Sequence, residues 1–458
     1  MQTNTFALEE LINTLLEGKK YSTIRDIVAN MEPADIALLF DEVPEEKHPL
    51  LFRLIPKEQA AETFVEMESD MQEHLIQGFS DAELKAVVDE LYVDDAADLV
   101  EEMPANVVKR ILQQADPETR KMINEILNYP EDSAGSIMTT EYVSLRPDMT
   151  AEEAIKRIRR TGVDKETVYT CYVTRNDKVL IGYISLKTLI LAEESETVQD
   201  LMDTNTISVT TSDDQEQVAQ MLQKYDFSAL PVVDRENRLV GIVTVDDAID
   251  VIEEEATEDI EIMAAITPSD KPYLKTSVFE TWKARIPWLM LLMLSATFTG
   301  IIITSFEDAL AVCVVLTAFI PMLMDTGGNC GSQASVSIIR SLSLGDVEPR
   351  DVVAVIWKEL RVAVLCALCL AVAAFAKIML IDHLIMGNPE VTPIVAAVVC
   401  LTMAVTVVFA KLVGCTLPLL ARKIGLDPAV VASPFITTMV DAMCLLIYFM
   451  WARMILHI

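Results

Sequence analysis

Histidine is scarce in this chain. Only His48, His74, His383 and His457 occur among 458 residues, and none belongs to an H-E-x-x-H pair, which argues against a membrane metalloprotease. Cysteine is unevenly placed, with seven of eight in residues 281–458 and only Cys171 outside them. Cys366 and Cys369 form a C-x-x-C inside an apolar run, with no histidine or second pair nearby, so they read as small hydrophobes and no disulfide framework is implied. Long apolar runs are missing from residues 1–280. Met1–Lys20 also lacks a basic start followed by an apolar core, so no cleavable signal peptide is expected. Base is in short supply as well. Of 36 Lys/Arg and 70 Asp/Glu, residues 281–458 hold eleven of each, so the net charge of −34 sits wholly on the first 280 residues. Such a surface repels nucleic acid and anionic headgroups and concentrates cations. A solvated face would have the same composition, and no nucleic-acid partner is expected.

From Tyr21 to Asn128, helix-start signals recur every 10 to 14 residues: Pro33, Pro44, Pro56, Ser69, Ser80, Asp94, Pro104 and Asp116-Pro117. Short amphipathic segments lie between them. The spacing predicts a solenoid of paired helices with nothing catalytic in it.

From Ser133 strands alternate with helices, and the pattern repeats. Ile137-Met138-Thr139 opens one unit and Leu201-Met202-Asp203 the next; Val179–Ser185 matches Arg238–Thr244. This stretch resembles two tandem CBS modules, clearest at Ser228-Ala-Leu-Pro-Val-Val-Asp234 and Gly241-Ile-Val-Thr-Val-Asp-Asp247. Many CBS pairs bind adenine nucleotides, holding the ribose on a Ser/Thr and an Asp three residues later. The resemblance thus implies an ATP site on Thr244 and Asp247, whereas the first module has Ser185 followed by Thr188.

Residues 246–261 carry nine carboxylates and no base, while Ile249, Ile252, Ala256, Ile260 and Met263 recur at helical steps. The pattern predicts an amphipathic helix. Its carboxylates repel one another by a few tenths of a kcal/mol per i, i+4 pair. It is either a solvated face or a surface that divalent cations neutralise; Mg²⁺ prefers carboxylate and water oxygens.

Five apolar stretches follow, near 285–304, 310–341, 353–381, 392–421 and 429–456, all long enough to span a bilayer. Lys271, Lys275, Lys283 and Arg285 precede the first, Arg340, Arg350, Lys358 and Arg361 flank the second connection, and Arg422 and Lys423 the fourth. The positive-inside rule then puts the N-terminal half in the cytosol and the C-terminus outside. Within the second stretch, Gly327-Gly-Asn-Cys-Gly-Ser-Gln333 allows close helix packing, or an opened helix lining a cavity, and puts Asn329 and Gln333 on one face. Asp441 lies mid-span, on a stripe with Pro434, Thr437 and Thr438. A carboxylate there costs about 2.5–3.5 kcal/mol on insertion scales, and such residues face a pore or a partner. Lys411 is the one candidate partner that the spans offer.

The order of segments, the 327–333 motif and the run Asp427-Pro-Ala-Val-Val-Ala-Ser-Pro434 through Asp441 resemble the MgtE magnesium channel family over the whole chain. The expected architecture is multidomain: an all-α acidic helical N domain (1–132), an α/β tandem CBS pair (133–252), a connecting plug helix (253–280) and a polytopic α-helical membrane domain of five spans (281–458). The resemblance implies a non-enzymatic, Mg²⁺-selective homodimer in the plasma membrane, importing Mg²⁺ through one pore on the two-fold axis. Asp441 would bind the hydrated ion, with Asn329 near it. Gating ions would bind Asp94, Asp95 and Asp98 of the N domain, Asp226, Asp247 and Asp250 of the second module, and Glu255, Glu258 and Asp259 of the plug, which Asp427 would face. A coupled transporter or exchanger with broader Mg²⁺/Co²⁺ selectivity would share these sites. A nucleotide-sensing receptor without transport would lack the flux.

Overall fold

Proline, serine and aspartate open most helices of the N-terminal part. In this computed structural model, which describes residues 2–163, 165–269, 273–274, 276–431 and 433–457, the chain divides into two compact units, 1–252 and 253–458. The first begins with helices α1 (Gln2–Glu17), α2 (Tyr21–Val28), α3 (Pro33–Glu42), α4 (His48–Phe52), α5 (Lys57–Val65), α6 (Ser69–Gly78), α7 (Asp81–Val88), α8 (Val93–Glu102), α9 (Ala105–Gln114) and α10 (Pro117–Ile126). The starts have local causes. Ser80 and Glu83 close a reciprocal capping box, and the Asp116 carboxylate accepts the N–H groups of Glu118 and Thr119. Each such cap stabilises its helix by about 1 kcal/mol. Alternate helices stack, α3 on α5, α5 on α7, α7 on α9 and α8 on α10, over one continuous core that includes Ile36, Phe40, Phe64, Leu75 and Ile111.

The repeat in the sequence becomes a repeat in space. In the first module β1 (Ser144–Leu145) precedes α11 (Ala151–Thr161), β2 (Thr170–Thr174), β3 (Leu180–Ser185) and α12 (Leu186–Leu191). After α13 (Val198–Leu201), the second has β4 (Val209–Thr210), α14 (Gln215–Tyr225), β5 (Ala229–Val233), β6 (Leu239–Thr244) and α15 (Val245–Met263). Each sheet joins a parallel and an antiparallel pair, with equivalent registers (Thr170↔Ser185, Ala229↔Thr244) and equivalent irregularities after Val173 and Val232. The segments that open the two modules cross these sheets at glycines. A Cβ on Gly182 would lie 2.7 Å from the Asp203 carbonyl, and one on Gly241 2.8 Å from that of Thr139.

The acidic helix forms as expected, but its packing face differs. Ala248 and Val251 are buried, whereas Ile249, Ile252 and Ile260 are exposed. The small and β-branched residues fit the module core, and the isoleucine stripe points away from it. Lys271 and Lys275 lie outside the described residues.

Among the described residues of the second unit, four helices are long and apolar enough to cross a membrane, not five. They are α16 (Val278–Ser305), the stretch Pro349–Ile385, α20 (Pro393–Lys423) and Pro434–Leu456 within α21 (Ser433–Leu456), with α19 (Val352–Lys377) forming most of the second. The remaining expected span, 310–341, is interrupted. Helix α17 (Glu307–Val312) ends before Cys313, a 3-10 stretch covers Val314–Phe319, and α18 (Ile320–Ser343) then runs unbroken for 24 residues. That is about 36 Å of helix at 1.5 Å per residue. Its Asp325, Asn329, Gln333, serines and glycines lower its hydropathy, and it packs against α20 and α21.

The glycines of α18 do not open it. They bring helices together: a Cβ on Gly414 of α20 would lie 2.2 Å from the Gly331 carbonyl, and one on Gly327 2.7 Å from the Thr406 methyl. Small residues at such crossings let backbones approach where no hydrophobic force acts between helices.

Candidate metal sites

Two carboxylates on neighbouring helices of the second unit lie close together. Asp441 projects from α21 and is half-buried, and its charge neighbour is Asp325 on α18. The hydroxyls of Thr437 and Thr438 both donate to the Pro434 carbonyl, at 2.8 and 3.0 Å, so they are turned back on their own helix. The polar stripe therefore presents Asp441 more than the threonines. Lys411, the one candidate partner for Asp441, pairs instead with Glu359 of α19, Nζ to Oε2 3.9 Å. Its position on α20 faces α19. Among the described residues neither Asp325 nor Asp441 has an ion-pair partner. Asn329 and Gln333, four residues apart on α18, are exposed together and line a cavity of about 750 Å³.

In the first unit, Asp94, Asp95 and Asp98 of α8 meet the start of α15. Asp94 is 7% exposed, and its Oδ1 is buried without a hydrogen bond. Burial, then the charges of Asp247, Asp95, Glu166 and Glu141, hold its carboxyl well above the usual range. Burial and Asp247 push Asp95 up to about 6, and burial with Asp95 and Asp247 pushes Asp98 to about 7. Glu141 and Glu166 belong to this group although nothing in the sequence pattern marked them. The Glu141 carboxylate accepts the Val93 N–H at 3.2 Å and the Thr139 hydroxyl at 2.9 Å, pinning the first turn of α8 to the first CBS module. Glu166 lies in a loop, with Oε2 buried and unbonded; burial and the charges of Asp246 and Asp247 raise it to about 8. A count of acidic residues near the module joints would have flagged both. Among the described residues no three Asp, Glu, His or Cys side chains converge tightly enough to hold an ion as they stand.

Asp247 also receives the Thr244 hydroxyl, and Asp250 adds its charge there. In the first module Ser185 caps Thr188 instead, hydroxyl to hydroxyl 2.8 Å. Asp226 closes α14 in the left-handed conformation (φ 52°) and is exposed.

Within the second unit, Asp259 of α15 accepts the Ser343 hydroxyl at 2.7 Å. Burial raises its carboxyl, and Asp427 adds to this while Arg340 and Arg422 oppose it. Asp427 itself accepts the Ala429 N–H at 2.8 Å. Glu258 is exposed and Glu255 half-buried on the same helix.

The membrane part, residues 320–451, matches the family model described as a divalent cation transporter. Residues 31–132 match the MgtE intracellular N domain, and 134–195 and 198–254 the CBS domain. The magnesium transporter MgtE of Thermus thermophilus is 38% identical over 438 residues, covering 95% of both chains. The chain belongs to the MgtE family of magnesium transporters. The Bacillus subtilis MgtE is 33% identical over 97% of this chain and 96% of its own. Among solved structures, the cytosolic domain of the Mg²⁺ channel MgtE in complex with ATP matches with TM-score 0.50 and 38% identity, over 53% of this chain and 98% of that one. The soluble part of a magnesium transporter matches with TM-score 0.51 and 30% identity, over 56% of this chain and all of that one. As an MgtE family member this chain is a multi-pass membrane transporter of Mg²⁺.

Proposed function

We propose that this chain imports Mg²⁺ into the cytosol as a homodimeric channel of the plasma membrane, closed by Mg²⁺ binding to its acidic N-terminal half. The observation that carries the path is the placement of Asp441 and Asp325 on neighbouring helices without a basic partner, Lys411 being engaged by Glu359. Stripping Mg²⁺ of its waters is difficult, so paired carboxylates hold it best through its hydration shell. In this reading α18 is a fifth span, its polar residues facing the path rather than lipid, and the basic connections keep residues 1–280 cytosolic.

Gating follows from charge. At low Mg²⁺ the carboxylates of Asp94, Asp95 and Asp98 repel Asp247, and those of Asp226, Asp250, Glu255, Glu258, Asp259 and Asp427 repel others brought near by a second copy. Bound Mg²⁺ reverses the sign of these contacts and draws the plug helix, residues 253–263, to the pore mouth. ATP binding at the CBS pair is supported by the ATP-bound neighbour. Thr244 and Asp247 would hold its ribose, and no gating step depends on it.

The test is Asp441→Asn in proteoliposomes that report Mg²⁺ influx. We expect influx to fall at least tenfold with an unchanged melting temperature. Wild-type influx by that variant would reject the path.

A further inference from the structure

The Glu359–Lys411 pair is the least expected charge arrangement in the second unit. Lys411 is 5% exposed on α20, and the two side chains are only 6% and 13% accessible. Buried ion pairs contribute little to stability beyond what a packed apolar pair would give. Ionisable residues inside a membrane bundle are therefore kept mainly for what passes them. The 3.9 Å separation also exceeds hydrogen-bond reach.

Both charges open on the cavity of about 750 Å³ between α18, α19 and α20, whose α18 wall carries Asn329, Ser332, Gln333 and Ser337. Ser337 donates its hydroxyl proton to the Gln333 carbonyl at 2.8 Å, so its oxygen faces other partners as an acceptor. Six waters occupy about 180 Å³ at their liquid volume, so the space accommodates a hydrated ion. Asn329 and Gln333 continue the exposed stripe that begins at Asp325.

We propose that Glu359 is a second station for the transported divalent cation, and that Lys411 is its tethered counter-ion, displaced when the cation arrives. This rests on the reading that the α18 stripe lines the ion path. The four-carbon stem of lysine lets the ammonium withdraw. A divalent ion at the ammonium's distance is attracted to Glu359 twice as strongly as the ammonium; a monovalent ion gains nothing by the exchange. The pair thus favours divalent over monovalent ions, a task distinct from holding the fold.

The experiment compares full-length wild type, Lys411→Arg and the double apolar variant Glu359→Met/Lys411→Met in proteoliposomes. Mg²⁺ influx is measured against Mg²⁺ concentration, with and without 150 mM (about physiological ionic strength) K⁺. Removing both charges together avoids leaving one stranded, so the melting temperature in detergent should hold. The double variant should need at least tenfold more Mg²⁺ for half-maximal influx and should become sensitive to K⁺, with Lys411→Arg, which keeps the charge but withdraws less readily, falling between it and wild type. A double variant with wild-type half-saturation and no K⁺ sensitivity overturns the proposal. So does one whose only change is a lower melting temperature. Failure of Asp441→Asn to reduce influx would instead refute the main path, because the double variant retains a measurable maximal rate on either outcome.

Discussion

Raising the pH in the absence of divalent cations should loosen α8 from the first CBS module, and Mg²⁺ should restore it. The cause is the group of carboxylates around Asp94. Asp95 is pushed to about 6, Asp98 to about 7 and Glu166 to about 8, whereas an unfolded carboxyl titrates near 4. Folded-state values above unfolded ones mean that the folded form binds protons more tightly. Its stability is therefore complete below about pH 4 and is lost as pH rises through 6, 7 and 8. Each unit is about 1.4 kcal/mol, so the two-unit rise at Asp95 corresponds to about 3 kcal/mol. The groups share their mutual repulsion, Asp98 is exposed to solvent and Glu166 is partly solvated, so the effects do not add and the parts of these two are discounted. Between pH 5 and pH 8 Asp95 releases about one of its two units, so we expect the opening free energy of α8 to fall by at least about 1.4 kcal/mol, roughly tenfold in amide protection. Hydrogen exchange on residues 93–102 of the full-length protein in EDTA, corrected for the intrinsic rate, measures it. Saturating Mg²⁺ should flatten the profile, and Asp95→Asn should reduce its slope. Protection constant within threefold across that range in EDTA would refute the reasoning.

Two further outcomes follow from single contacts. Gly414→Ala should lower the melting temperature in detergent by an amount equivalent to about 1–3 kcal/mol, because its new methyl would overlap the Gly331 carbonyl. Gly300→Ala, with nothing within 4 Å of the added carbon, is the matched control and should leave it unchanged or higher. Ser343→Ala removes the hydroxyl that Asp259 accepts, leaving that carboxylate short of a partner at a cost of about 1–3 kcal/mol. Limited proteolysis of residues 253–263 at fixed Mg²⁺ should then speed up; unchanged cleavage would detach the Ser343 contact from the position of that helix.

Much of the fold was legible because its signals are local. Pro33, Ser80 and Asp116 begin or cap helices through their own ring or side-chain chemistry, and the CBS repeat shows as two equivalent hairpins. The membrane part was less legible because hydropathy reports lipid contact, not membership of the bundle. Helix α18 is held among α20 and α21, so its polar residues say nothing against a span and its glycines mark crossings that no single-helix pattern contains. The same limit applies to the carboxylates. Asp441 and Asp94 stand out within their own helices, but Asp325, Glu141 and Glu166 acquire meaning only from chain more than 45 residues away that packs beside them. Lys411 went to Glu359 for the same reason: the helix that faces it is fixed by packing.

The spread of the proposed gating carboxylates has a quantitative consequence. Moving a two-state gate from 1:99 to 99:1 requires about 5.5 kcal/mol of differential binding. An ion that binds only the closed state contributes RT ln(1 + [L]/Kd), about 1.4 kcal/mol at ten times its dissociation constant. One site therefore cannot close the gate over a tenfold range of Mg²⁺; about four acting together can. The candidate carboxylates are distributed accordingly, from Asp94, Asp95 and Asp98 against Asp247, through Asp226 and Asp250, to Glu255, Glu258 and Asp259 with Asp427. Removing one of them should flatten the closing curve rather than abolish it. With Asp95→Asn, the apparent Hill slope for closure by cytosolic Mg²⁺ in patch recordings should drop by about one while the fully closed state is still reached at high Mg²⁺. A variant that never closes would mean that one site dominates, and the distributed mechanism would be wrong.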